Sequence, residues 1–306
     1  MGARPPGFAD ANAPAAGAEF TLLGVPFDAT SSFRSGSRAA PNAMRDASWN
    51  FETFLMEHEI DLTDMAIHDC GNLEDFARPE DMLEAVKEAV TGILRNSSFP
   101  IVMGGEHSLT PAVVSALKQN GVGGPDGFAV IVLDAHMDFR DQYLNMPLSH
   151  ACASRRTSEL VGSESIVPIG VRSVSREEME EIRDDMGDRF RFITADEVRR
   201  DGMAASVKRA QKLVGKDRLY LSLDIDCLDP AYAPGTGTPE PFGLTPLDVR
   251  EAIGILAPQL VGFDIVEIAP AYDSGNTAAL GARLVREVMA AVHASRHSAI
   301  GERGIG

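Results

Sequence analysis

Short, uninterrupted apolar runs alternate with amphipathic stretches along most of the chain. The apolar runs are EFTLLGVP (19–26), FPIVMGG (99–105), FAVIVLDAH (128–136), SIVPIGVR (165–172), FRFITADE (190–197), RLYLSLDID (218–226) and LVGFDIVEI (260–268). Helical patterning covers 41–56, 79–95, 109–119, 175–187, 195–213, 245–256 and 276–295. Strands without polar alternation are covered on both faces, and strands separated by helices run parallel. The pattern therefore predicts one α/β domain of three layers, α/β/α, with a mostly parallel, doubly wound sheet. Residues 1–18 are rich in Ala, Pro and Gly without a period and read as a flexible N-terminal arm. Residues 297–306 read as a flexible C-terminal tail, which leaves 19–296 as the folded domain with no internal linker or repeat.

Ligands of open parallel sheets bind beyond the carboxyl ends of the strands. Four runs end there in ionisable residues: Glu106 and His107; Asp134, His136 and Asp138; Asp224, Asp226 and Asp229; Asp264 and Glu267. In extended chain, positions i, i+2 and i+4 share a face, so Asp134, His136 and Asp138 can point into one space, as can Asp224 and Asp226. Crowded, buried carboxylates repel and cost several kcal/mol each unless a cation neutralises them. Asp229, before Pro230, reads as a turn residue, and Asp264 as a structural partner at the sheet edge. The remaining imidazoles and carboxylates form an oxygen-rich donor set that suits manganese better than structural zinc. Two metals about 3.5–4 Å apart could share bridging carboxylates.

Composition narrows the rest. A chain of 306 residues, 44% hydrophobic and 24% charged, is long enough for one large domain. A net charge of −17 argues against nucleic-acid or anionic-membrane partners and weakly favours a cationic small molecule. No apolar run is long enough for a membrane span. Cys70, Cys152 and Cys227 lie far apart and suggest a reducing, cytoplasmic setting.

Taken together, GGEHS, DAHMD, SLDIDCLDPAYAPGTGTPEPFGLT and IVEIAPAYD resemble the signature segments of the ureohydrolases, the arginase–agmatinase superfamily. GVPFDATSSFRSGSRAAPNAMRDAS resembles the agmatinase-type N-terminal segment, and the likeness spans roughly residues 20–295. The resemblance implies an arginase-like fold and two Mn²⁺ per subunit. It assigns His107, Asp134, Asp138 and Asp224 to one ion, and His136, Asp134, Asp224 and Asp226 to the other, with Asp134 and Asp224 bridging. It further implies that a metal-bridging hydroxide attacks a guanidinium carbon. Asp138 would orient that hydroxide, Glu267 would pair with the guanidinium, and His150 would shuttle the proton to the leaving amine. A homotrimer or homohexamer is also implied.

The substrate tail is read from FRDQYLNMPLS (139–149), which lacks the Asn, Ser and Thr richness of arginase loops and looks more like agmatinases. Agmatine, giving urea and putrescine, is the expected substrate. Arg140 keeps open 4-guanidinobutanoate, arginine or N-formimino-glutamate. A mononuclear zinc deacetylase-type enzyme and a non-catalytic metal-binding subunit are the alternatives of other classes. The loop 234–245 is expected to shape the pocket near Asp226, and Arg34, Arg38 and Arg45 to form structural or interface ion pairs.

Overall fold

A computed structural model describes residues 7–301. Its strands are β1 (Phe20–Gly24), β2 (Phe54–Leu55), β3 (Ile60–Asp61), β4 (Ile67–Asn72), β5 (Phe99–Met103), β6 (Ala129–Leu133), β7 (Ile166–Val171), β8 (Ile193–Thr194), β9 (Leu219–Asp224) and β10 (Leu260–Val266). The helices are α1 (Ala40–Ser48), α2 (Pro79–Arg95), α3 (Thr110–Gln119), α4 (Ala153–Val161), α5 (Arg176–Glu181), α6 (Ala195–Asp201), α7 (Met203–Val214), α8 (Pro246–Leu256) and α9 (Asn276–Gly301). Eight strands form one sheet in the order β4-β1-β5-β10-β9-β6-β7-β8, and its pairings are parallel. β2 and β3 form a separate antiparallel hairpin.

Alternate residues of each central strand enter opposite apolar layers. Leu22, Ile101, Ile131, Leu221 and Phe263 pack under α1, α7, α8 and α9. Leu23, Val102, Val130, Tyr220 and Val266 pack under α2 and α3. Both faces are covered, which is why these strands read as continuous apolar runs. The expected α/β/α architecture is the one observed.

Several boundaries differ from the sequence expectation. The helix expected over 41–56 stops at Ser48, and the chain goes on to the β2–β3 hairpin. The helix expected over 195–213 is two helices, broken at Gly202, whose φ of 87° an L-residue rarely adopts. The strand expected over 190–197 shrinks to two residues. Thr194 caps α6 there in a capping box with Glu197. β4 was not expected, because IHDCGN is an edge strand with half-exposed polar positions. α4 was not expected either: it buries Ala153, Ser154, Thr157 and Ser158, small or polar residues that give little apolar signal.

The segment read as a mobile arm is packed from Gly7 onwards. Phe8 is buried in the core, and its amide donates to Asp69 at 2.7 Å. Asp10 forms an ion pair with Arg286 of α9 at 3.0 Å, and both side chains are buried. Residues 1–6 lie outside the described residues. At the other end α9 runs to Gly301, past the expected tail boundary at 297, and 302–306 lie outside the described residues. Arg38 pairs with Asp28, and Arg45 with Asp69, as structural ion pairs within the chain. Among the described residues no helix is long and apolar enough to cross a membrane.

Candidate metal centre and active-site cleft

The carboxyl ends of β5, β10, β9 and β6, the four central strands, converge on one cluster. His107 follows β5 in a short 3-10 turn. The tight path into that turn requires Gly105, because a Cβ there would lie 1.9 Å from the carbonyl oxygen of Phe27. Asp134, His136 and Asp138 follow the end of β6; pairing continues only as an isolated bridge between His136 and Ser173, and strand alternation does not reach Asp138. Instead the chain turns: Asp138 has φ of 50°, and Asp134 Oδ1 accepts the amide of His136 at 2.6 Å. Asp224 ends β9, and Asp226 follows in a 3-10 turn whose amide donates to Asp224 at 2.9 Å. Glu267 follows β10 with φ of 64°. Left-handed non-glycine residues cluster at functional sites, where the surrounding fold holds the strain.

His107 Nδ1 stands 3.2 Å from Asp134 Oδ2, 3.3 Å from Asp138 Oδ2 and 3.3 Å from Asp224 Oδ2. His136 Nδ1 stands 3.0 Å from Asp226 Oδ2 and 3.7 Å from Asp134 Oδ1. Two groups of potential ligand atoms result, His107–Asp134–Asp138 and Asp134–His136–Asp226, and they share Asp134. All six expected ligand positions are therefore brought together. His136 is half-buried and the others are buried.

The donor set fits divalent cations. His107 Nδ1 and Asp134 Oδ2 are buried and have no hydrogen-bond partner. Buried polar atoms generally find a partner, and although a few others here also lack one, these two potential ligand atoms face each other at 3.2 Å amid further carboxylates, an arrangement that a cation satisfies. The other side of His107 is prepared for that role. Ser222 Oγ donates to Asp264 Oδ1 at 2.6 Å, so it can only accept from His107 Nε2, 3.0 Å away. The proton thus sits on Nε2, and Nδ1 offers its lone pair to the cluster. Asp264, buried and also hydrogen-bonded by Thr110 and Tyr220, is the structural partner the sequence suggested.

Without a cation the cluster is electrostatically frustrated. Burial, with Asp138 and Asp226 beside it, pushes the Asp134 carboxyl up to about 7. Burial, with Asp226 and Asp134 nearby, also pushes Asp224 well above the carboxylate range. Burial opposes charge on His107 and His136, but the surrounding carboxylates outweigh it and raise both imidazoles. Burial acts against Asp226 too, yet His136 and neighbouring hydrogen bonds hold it well below the ordinary value.

A cleft of about 300 Å³ opens onto the cluster, and Asp138, Asp224, Glu267, His150, Thr238 and Arg140 are among its lining residues. Thr238, from the Pro- and Gly-rich loop, donates to Asp226 at 3.0 Å, so that loop does form the wall beside Asp226. Glu267 accepts the His107 amide at 2.8 Å, and burial with Glu106 close by raises its carboxyl well above the usual range. His150 opens a 3-10 turn before α4, with Nε2 3.3 Å from Ser32 Oγ. Asp229 accepts the amides of Ala231 and Gly243 at 2.9 and 3.0 Å and is a turn residue, outside the cluster. Cys227 is buried in the core and belongs to neither group of potential ligands.

Arg140 also reaches the cleft wall. Its Nε lies 3.7 Å from Glu178, and its guanidinium lies 5.1 Å from the ring centre of Tyr143. Glu178 and Tyr143 were not singled out by the sequence. Glu178 had a usable signal, since Ser175 and Glu178 form a capping box, and its second bond to the amide of Phe139 ties α5 to the Asp138 turn.

The comparisons with known proteins bear on family and fold. The arginase family profile matches residues 18–291. The agmatinase of Halalkalibacterium halodurans is 36% identical over 273 residues, covering 88% of this chain and 90% of its own. The N(1)-aminopropylagmatine ureohydrolase of Thermococcus kodakarensis is also 36% identical over 273 residues, with 88% of each chain covered. The crystal structure of agmatine ureohydrolase of Thermoplasma volcanium superimposes with a TM-score of 0.89 at 38% identity, covering 96% of this chain and 97% of that one. By sequence and by fold, this chain belongs to the arginase family.

Proposed function

We propose that the protein is a manganese-dependent agmatinase that hydrolyses the guanidino group of agmatine to urea and putrescine. The observation that carries this reading is the pair of unsatisfied, buried ligand atoms, His107 Nδ1 and Asp134 Oδ2, next to Asp138 and Asp224, which line a cleft together with Glu267 and His150. Two Mn²⁺ would be held by His107, Asp134, His136, Asp138, Asp224 and Asp226. When bound, the ions supply positive charge that makes a water molecule acidic enough to act as a nucleophile near neutral pH.

The chain's own groups do the rest. Glu267 presents a carboxylate to the cleft, and the planar fork of donors on a guanidinium suits it. A bound cation there would relieve the burial that raises Glu267. Asp138 would orient the nucleophile from the cluster's edge. His150 would give its Nε2 proton to the departing amine, without which the amine is a poor leaving group.

Agmatine is favoured over acidic guanidino compounds because Arg140 already faces Glu178 and lies over the Tyr143 ring. Neither relative reported above is named for an acid substrate. A second reading rests on the same arginine: if Arg140 turned from Glu178 into the cleft, it would meet a carboxylate tail such as that of 4-guanidinobutanoate. Assembly as a homotrimer or homohexamer and a cytoplasmic location belong to the same proposal, and both rest on the resemblance. The test is urea release from agmatine, arginine, 4-guanidinobutanoate and N-formimino-glutamate by Mn²⁺-loaded protein, with metal counted per chain. Fastest turnover of agmatine with two Mn²⁺ is expected. Faster turnover of a carboxylate-bearing substrate would transfer the assignment to it, and one tightly held Zn²⁺ would favour a different hydrolase chemistry.

A further inference from the structure

Glu106 is fully buried, forms no ion pair among the described residues, and has no part in the reaction as described so far. Each of its hydrogen-bond partners is a donor. Its Oε2 accepts the amide of Thr30 at 2.8 Å and faces Ser31 Oγ at 3.4 Å. Its Oε1 accepts the hydroxyls of Thr30 and Ser108. Thr30 is buried as well, and its hydroxyl oxygen also meets His150: the backbone amide at 3.0 Å and Nδ1 at 3.4 Å.

A hydroxyl has one proton. Thr30 spends it on Glu106, so it turns only lone pairs towards His150. A proton on Nδ1 is then the arrangement that satisfies this contact, with Ser149 Oγ, 3.2 Å away, as a second acceptor. The opposite nitrogen, Nε2, is left on the side of Ser32 and the cleft. The loop that supplies Thr30, DATSS (28–32), lies in the N-terminal segment whose sequence stood out without an assigned role.

We propose that Thr30, anchored by Glu106, is a positioning residue for His150: it selects the tautomer with the proton on Nδ1 and aims Nε2 at the leaving group. This inference rests on the reading of His150 as the acid that protonates the amine. As the guanidino C–N bond breaks, its electron pair goes to the amine nitrogen. That nitrogen takes the proton from Nε2 of the imidazolium, leaving a neutral ring with its proton on Nδ1 facing Thr30. Solvent returns a proton to Nε2 after release. Glu106 and Thr30 transfer nothing; their hydrogen bond sets which way the hydroxyl points.

The experiment compares Thr30→Val, Thr30→Ser and His150→Ala in Mn²⁺-loaded enzyme, with thermal melts and metal content recorded for each. Thr30→Val keeps the shape and loses the hydroxyl. It is expected to lower kcat about 10- to 100-fold while KM stays within about twofold, because the group acts on proton transfer. Thr30→Ser restores the hydroxyl and should return kcat to within about threefold of the unmodified enzyme. Thr30→Val at full kcat beside an impaired His150→Ala would overturn the positioning role and leave the His150 assignment intact. So would a Thr30→Ser enzyme as slow as Thr30→Val with its fold and metal retained. Full activity in His150→Ala would remove the assignment of His150 as the acid, and the positioning role with it. If Thr30→Val does not fold, Thr30→Ser and Thr30→Ala decide by the same kcat comparison, with serine faster supporting the role and equal rates overturning it.

Discussion

His107 Nδ1 and Asp134 Oδ2 face each other across 3.2 Å, buried, and neither has a hydrogen-bond partner. In the metal-free chain this contact is sustained by protons. Asp134, raised to about 7, keeps a proton in the folded state that the unfolded chain releases near the ordinary carboxylate value. Within that window the folded state binds more protons, so stability falls as pH rises. His107 and His136 have raised folded values, so their contribution is present at low pH and is lost as pH rises through those values. Metal binding displaces the same protons and strengthens as pH rises. Melting curves with and without Mn²⁺ at pH 5.5 and 8.5 should show a larger metal-induced gain in Tm at the higher pH. An equal gain at both would contradict this account.

Ser222 holds the far side of His107. Ser222→Ala removes the acceptor of Nε2 and frees the imidazole to rotate or change tautomer. Metal affinity should fall about 10–100-fold, the usual effect of losing an outer partner of a ligand. Equilibrium dialysis against Mn²⁺ measures it directly, and circular dichroism should show the fold unchanged.

Asp138→Asn separates chemistry from backbone. Asparagine tolerates the left-handed conformation that Asp138 adopts at φ of 50°, so the turn should survive. The lost charge beside His107 should lower both Mn²⁺ occupancy and turnover, the latter by about 100-fold or more at saturating metal. Unchanged urea release would remove Asp138 from the site.

Asp10→Ala tests the packed N-terminal segment. Arg286 is fully buried, and apart from Asp10 it has the carbonyl of Glu52 as a hydrogen-bond acceptor. Removing one partner of a buried pair costs roughly 3–5 kcal/mol. A drop in Tm on the order of 10 °C is expected from such a loss. A melt matching the unmodified protein would show that residues 7–18 carry little of the stability.

The four central strands were legible because burial on both faces leaves no polar interruption, and the few exceptions were informative. Ser222 and Asp264 break otherwise apolar runs, and they are the pair that orients His107. The site residues were legible by type and by their place after a strand, but their convergence was not. Periodicity describes extended chain, whereas Asp138 and Glu267 point into the cleft from left-handed turns that no two-residue period encodes. β4 was hidden because an edge strand has one neighbour and carries polar side chains. The packing of residues 7–18 was hidden because it depends on Phe8, Asp10 and a few amides, contacts made with residues far along the chain.

The order of the sheet sets when the centre can come into being. β5 and β6 carry His107 and the Asp134–Asp138 turn, yet they are not neighbours: β10 and β9, made much later, lie between them. A growing chain that has released four of the six donors still lacks the two strands that space them. β10 takes its place between β5 and β9 and lies later in the sequence than all six candidate ligands, so the spacing of the cluster depends on a strand that carries none of them.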